Sequence, residues 1–181
     1  MVEMYLDDIR GYWRDLVKPA FQEFWDEYQK DVRTDVAQLH KLYRRLICAS
    51  LLINHQADKA APLHGLKKGE KLIDLLEPLN RDIWLKLHAC RHFSNDAKHA
   101  MKRIQEAGTR ERLEGFDREG ASKVFEIHML TLDGEIYDMC RTVTEAFWFW
   151  VGYFDGFTPI TFKQALKNKY AGDSTLSPGS C

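Results

Sequence analysis

From Val36 to Ala57 apolar or small residues recur at three- and four-residue steps: Val36, Leu39, Leu42, Tyr43, Leu46, Ala49, Ser50, Ile53 and Ala57. No glycine or proline interrupts the run before Pro62. That period is the signature of an amphipathic α-helix, and about six turns of it require neighbouring helices to cover the apolar face. Thr34 or Asp35 is the expected N-cap. An adjoining face carries Ile47 and Leu51 and then turns polar at Asn54 and Asp58. The segment therefore reads as a central bundle helix with two candidate binding residues near its end.

Three further helices follow from the same period. Tyr5 to about Asp31 places Ile9, Tyr12, Trp13, Leu16, Phe21, Phe24, Trp25 and Tyr28 in register. Pro19 predicts a kink or break near Lys18, because proline lacks an amide donor and disfavours helix at the preceding residue. Asn80 or Asp82 is placed to cap a helix running to about Ala107, with Gly108 as its stop. A last long helix is expected from about Asp138 to Gly156, and its Phe147-Trp148-Phe149-Trp150 cluster predicts burial on more than one side.

Between these helices the pattern changes. Residues 62–69 read as a basic, solvated linker, followed by the short apolar segment Leu72 to Leu76 ending at Pro78. Residues 108–120 are densely charged and predict a loop or short helix. Lys123 to Thr131 is rich in strand formers, and Asp133-Gly134 before Glu135-Ile136-Tyr137 signals one hairpin. Thr161 to Tyr170 has the composition of a short terminal helix. The expected fold class is mainly α, a four- to five-helix bundle with one short β-hairpin before the last long helix. One helical domain over 1–172 and a flexible tail over 173–181 complete it.

Charge and cysteine usage narrow the functions. The 26 Lys and Arg balance 27 Asp and Glu, so the formal net charge is -1 and no global positive field draws in nucleic acid. No run approaches the roughly 20 apolar residues of a membrane span and the N-terminus has no signal-like stretch, so a cytoplasmic location without membrane contact is expected. Cys48, Cys90, Cys140 and Cys181 form no C-x-x-C pair and read as reduced, structural thiols.

The third long helix carries the most suggestive polar face. With His88 at zero on a helical wheel, His99, His92 and Asp96 lie at about 20°, 40° and 80°, Asn95 at about -20° and Arg91 at about -60°. Ile83, Leu87, Cys90, Phe93, Ala97, Met101 and Ile104 form the apolar face. Imidazoles, a carboxamide and a guanidinium on one ridge suit acid-base chemistry with an anion clamp. The plain alternative is a solvated face, for which Lys and Glu are the usual composition. A metal held by His88 and His92 with Asp96 or His99 and Asp58 is a further reading, but no H-E-x-x-H or E-x-x-H spacing supports it. No metal or cofactor is therefore expected.

Residues 47–58 and the Arg91 to His99 segment resemble a group of small helical bacterial and phage proteins whose recurring element is Asn-x-x-Lys-His, here Asn95, Lys98 and His99. The hairpin and the aromatic helix are similar to that group as well, over roughly residues 35–155. The group in turn resembles the HEPN proteins, many of them metal-independent, RNA-cutting toxins or defence nucleases that act as dimers. That resemblance implies Arg91 as the phosphate stabiliser, His99 as acid or base and Asn95 as their orienter. Asn54, Asp58, His88, His92, Asp96 and Lys98, on the polar faces of the same two helices, are the expected binding residues. Seven residues separate Arg91 from His99, where the HEPN pattern has four to six. The function expected on this basis is an RNA-directed protein of a mobile element or defence system, working as a homodimer. The competing expectation is a non-catalytic module that recognises a protein partner or small ligand through a homodimer cleft.

Overall fold

The computed structural model describes residues 8–32, 36–99, 104–111, 123–131 and 133–156. It is mainly α, with a small sheet before the last helix. The first rod consists of α1 (Ile9–Tyr12), a π-helical stretch (Trp13–Val17) and α2 (Lys18–Tyr28). Pro19 sits in the first turn of α2. The break expected there is instead a wider helical turn just ahead of the proline, which spares its ring the clash with the preceding carbonyls.

The second rod, α3 (Val36–Ala60), is the central helix, packed on α2, α4, α5 and α6. Its N-cap region, 33–35, lies outside the described residues. Leu42, Leu46, Ala49, Ile53, Ala57 and Ala60 are buried, as the period requires. Ser50 anchors it further by donating from Oγ to the Cys90 carbonyl of α5 at 3.0 Å. A 3-10 turn (Ala61–His64) follows, closed by Gly65 at φ 70°. The segment expected to be a solvated linker is thus partly ordered: Gly69 is buried and His64 Nε2 lies 2.9 Å from the Tyr153 hydroxyl.

Next come α4 (Gly69–Asp74), which sinks Leu72 and Ile73 into the core, and α5 (Arg81–Lys98). Asn80 caps α5, its Oδ1 accepting from the Ile83 amide at 3.1 Å. The helix does not reach Ala107. It ends at Lys98, and residues Ile104–Glu111 form strand β1 rather than the last turns of a helix. Gly108 lies within that strand, opposite Glu126 of β2 (Lys123–Leu130). Met101 lies outside the described residues, so the apolar stripe is seen only as far as Ala97.

The expected hairpin is present as β2 and β3 (Ile136–Asp138), turning through Gly134 at φ 84°. All three strands are antiparallel in the order β1-β2-β3. Arg110 fastens β1 to the first rod, donating from Nη2 to the Tyr28 hydroxyl at 2.6 Å.

Helix α6 (Met139–Asp155) begins and ends where the sequence indicates. The Asp138 side chain accepts from the Cys140 amide, and Gly156 closes the helix in the left-handed region at φ 74°. Phe147 stacks on Phe21 at 3.7 Å between centroids and on Trp13 at 5.1 Å, so α6 closes the core against the first rod. Trp150 is fully buried and Trp148 is 60% exposed. Among the described residues no helix is long and apolar enough to cross a membrane. Of the charged stretch 108–120, for which the sequence predicts a loop or short helix, residues 108–111 are instead strand β1, and 112–120 lie outside the described residues, as do the predicted short helix 161–170 and tail 173–181.

Candidate functional site

Helices α3 and α5 lie side by side, and α4 rests across them. The approach of α4 is close enough to demand glycine at its start: a Cβ on Gly69 would stand 2.6 Å from the Asp58 backbone nitrogen and 2.7 Å from Asp58 Oδ1. In place of that clash, the Gly69 amide donates to Asp58 Oδ1 at 2.9 Å. Two further contacts link α4 to α5, with Glu70 Oε2 3.1 Å from Arg91 Nη2 and Asp74 Oδ1 3.2 Å from His88 Nε2.

Beside these contacts the three elements enclose a cleft of about 240 Å³. Asn54, His55 and Asp58 line it from α3, and Arg91 and Asn95 from α5. Lys68, Gly69 and Glu70 complete the wall. Its lining is mostly polar, and the formal charges of Lys68, Arg91, Asp58 and Glu70 cancel. Among the described residues neither the Asn54 nor the Asn95 carboxamide carries a hydrogen bond. Both retain donors and acceptors for a bound molecule. The field of Asp58 also reaches Tyr12, whose hydroxyl is pushed up to about 12, first by burial and then by that negative charge.

Four of the nine residues selected from sequence, Asn54, Asp58, Arg91 and Asn95, therefore meet at one concavity. Among the other five, His88, His92, Asp96 and His99 do not line it. His88 is 5% exposed and packs against Trp84, with ring centroids 4.9 Å apart, besides its contact with Asp74. His92 stacks beside it at 6.1 Å. Asp96 is buried near Tyr43, whose hydroxyl is raised first by burial and then by the Asp96 charge. The ridge drawn on the helical wheel is thus divided, because α5 is covered on most of its circumference and its polar residues serve different neighbours.

His99 lies past the last residue of α5 with φ -120° and ψ -89°, exposed and outside the cleft. His99 and Arg91 therefore do not line one cleft among the described residues. The Lys98 side chain lies outside the described part of the structure. His55, Lys68 and Glu70 are cleft residues that the sequence did not single out as a site. His55 follows Asn54 on a legible helix, whereas Lys68 and Glu70 enter only through the tertiary placement of α4.

Among the described residues no three His, Cys, Asp or Glu side chains are grouped to hold a metal ion. Cys90 and Cys140 are buried thiols with pKa raised by burial, Cys90 to about 12, as expected of structural cysteines, whereas Cys48 is exposed, because it lies on the outer face of α3. Comparison of this chain with protein-family models, with curated proteins and with solved structures finds no match.

Proposed function

We propose that this chain is a binding module that recognises a small polar ligand in the cleft between α3 and α5. The observation that supports this most is the convergence of Asn54, Asp58, Arg91 and Asn95, from two rigid helices, on one concave polar space. Two carboxamides that carry no hydrogen bond among the described residues, with a guanidinium beside them, form a recognition surface, because such groups need partners once a ligand excludes water. At about 240 Å³ the space is smaller than the ~300–1,000 Å³ of drug-sized sites, so the ligand is a small one. Nuclear magnetic resonance titration with a panel of amino acids, dicarboxylates, sugars and mononucleotides tests the reading. At least one compound is expected to shift cleft resonances, with binding lost in Arg91→Gln and Asn95→Ala and kept in His99→Ala. Binding untouched by the cleft substitutions, or no binding across the panel, would sink it.

A second reading is favoured by the shared placement of Arg91 and Asn95: an HEPN-like, metal-independent ribonuclease of a mobile element or defence system. In this reading RNA is the substrate. The exposed His99 of one protomer would serve a phosphodiester held at Arg91 of the other within a homodimer. Incubation with labelled structured and single-stranded RNA in EDTA tests it. Cleavage is expected from the wild type and lost in His99→Ala and in Arg91→Ala. Absence of cleavage by a dimeric wild type removes the reading.

A further inference from the structure

We infer that Glu70 is a built-in stand-in for the ligand's own anionic group. The cleft then takes a small molecule bearing a compact oxyanion, a carboxylate or a phosphate, which binds by displacing Glu70 from Arg91. The inference rests on the reading of the cleft as a ligand site and names the chemistry that fills it.

The two acidic groups of the cleft are held differently. Asp58 is committed, since its Oδ1 accepts from the Gly69 amide and α4 is packed against the backbone beneath it. Among the described residues Glu70 makes one ion pair, from Oε2 to Arg91 Nη2 at 3.1 Å, and the side chains are 37% and 28% exposed. An ion pair of that exposure is screened by solvent and is worth little, so a competing anion displaces it readily.

The charge balance gives the sign of the competitor. With Glu70 turned out to solvent, Lys68 and Arg91 face Asp58 alone and leave one uncompensated positive charge. A monoanionic group restores neutrality. A cationic ligand that took Glu70 from Arg91 would leave the guanidinium, which projects from the middle of α5, without its partner at the same cleft. The contact geometry agrees: the Glu70 and Arg91 side chains meet as an ion pair at 3.1 Å, whereas a carboxylate or phosphate of a free ligand can take two N–H groups in parallel and so compete on good terms. Asn54 and Asn95 then bind the polar remainder of the molecule.

Titration of the full chain with inorganic phosphate and with acetate, in separate arms at constant ionic strength, tests the assignment. In Glu70→Gln the dissociation constant of at least one anion is expected to fall about fivefold or more relative to wild type. Resonances of residues 54–58 and 91–95 should shift, and the effect should vanish in Glu70→Gln/Arg91→Gln. The arm with the larger gain distinguishes a phosphate from a carboxylate ligand. Glu70→Ala serves as a second variant should Glu70→Gln alter the melting midpoint. Arg91-dependent anion binding of equal strength in wild type and Glu70→Gln would overturn the stand-in role and leave the cleft reading intact. Failure of both anions to shift cleft resonances in any variant would overturn the anion assignment, and only failure of the wider panel above would take the cleft reading with it.

Discussion

Asp74 Oδ1 and His88 Nε2 lie 3.2 Å apart, one helical turn along from the Glu70–Arg91 contact, so α4 is joined to α5 by two parallel acid-base pairs. Their surroundings set them apart. His88 is 5% exposed and enclosed by Trp84 and His92, whereas Arg91 opens into the cleft. His88→Ala is accordingly expected to cost about 1–3 kcal/mol of stability by urea unfolding, through lost packing and an uncovered polar contact. Because Asp74 is 36% exposed, its coupling to His88 in a double-mutant cycle should not exceed about 1 kcal/mol. A variant as stable as the wild type would show that the His88 packing contributes nothing to the fold.

Gly69 governs how closely α4 approaches α3. An alanine in an ordinary helix gains up to about 1 kcal/mol over glycine in propensity, but here the new Cβ meets backbone that cannot swing aside. The clash should win, with Gly69→Ala destabilised by about 1–3 kcal/mol. Loss of the Gly69 to Asp58 hydrogen bond should follow. Shifts in the Asp58, Glu70 and Arg91 resonances together with a lower melting midpoint would check both parts; a variant as stable as the wild type would show that α4 can lift from α3 freely.

Which parts of the molecule the sequence made legible follows from which are locally determined. Helix α6 carries its own punctuation in Asp138 and Gly156, and α3 its own six-turn period, so both could be read directly. The β2-β3 hairpin was legible for the same reason, through Asp133-Gly134. Strand β1 was not. Ile104-Gln105-Glu106-Ala107 prolong the α5 period with good helix formers, and only pairing with β2, a non-local contact, makes them extended. The candidate site divides along the same line. Asn54, Asp58, Arg91 and Asn95 sit on readable helix faces, whereas Glu70 and Lys68 reach the cleft only because α4 folds back over it.

Burial lowers the pKa of His64 from its ordinary value of 6.5, while Tyr153 holds its Nε2. A histidine with a depressed folded-state pKa favours folding in its neutral form. Its contribution is therefore complete above pH 6.5 and is lost as the pH falls through the unfolded value and then the folded one. Wild type should lose more stability between pH 7.5 and about pH 5.5 than His64→Gln, which cannot be protonated there. Urea midpoints across that range measure the difference. Parallel pH profiles would show that His64 is solvated in both states.

The two tryptophans of the aromatic cluster should respond in opposite ways. Trp150 is fully buried, and Trp150→Ala is expected to cost about 3–5 kcal/mol. Trp148 points outward at 60% exposure, so Trp148→Gln should change stability by no more than about 0.5 kcal/mol. Guanidinium unfolding curves for the two variants compare them directly. A large loss in the Trp148 variant would place that side chain in an interface between copies of the chain, and a dependence of the midpoint on protein concentration would then accompany it.

Gln56 is fully buried in α3, and among the described residues neither its Nε2 nor its Oε1 has a hydrogen-bonded partner. An amide withdrawn from water without compensation costs about 1–3 kcal/mol, whereas an apolar side chain of similar length gains from the same position. Gln56→Met should therefore raise the urea midpoint by an amount equivalent to about 1–2 kcal/mol, with an unchanged slope. Gln56→Ala should lower it, because truncation opens a cavity in the central helix's packing. If the methionine variant is instead the less stable, the Gln56 amide is hydrogen-bonded in the folded protein, and its place beside Ala57 on the buried side of α3 is polar by requirement rather than by tolerance.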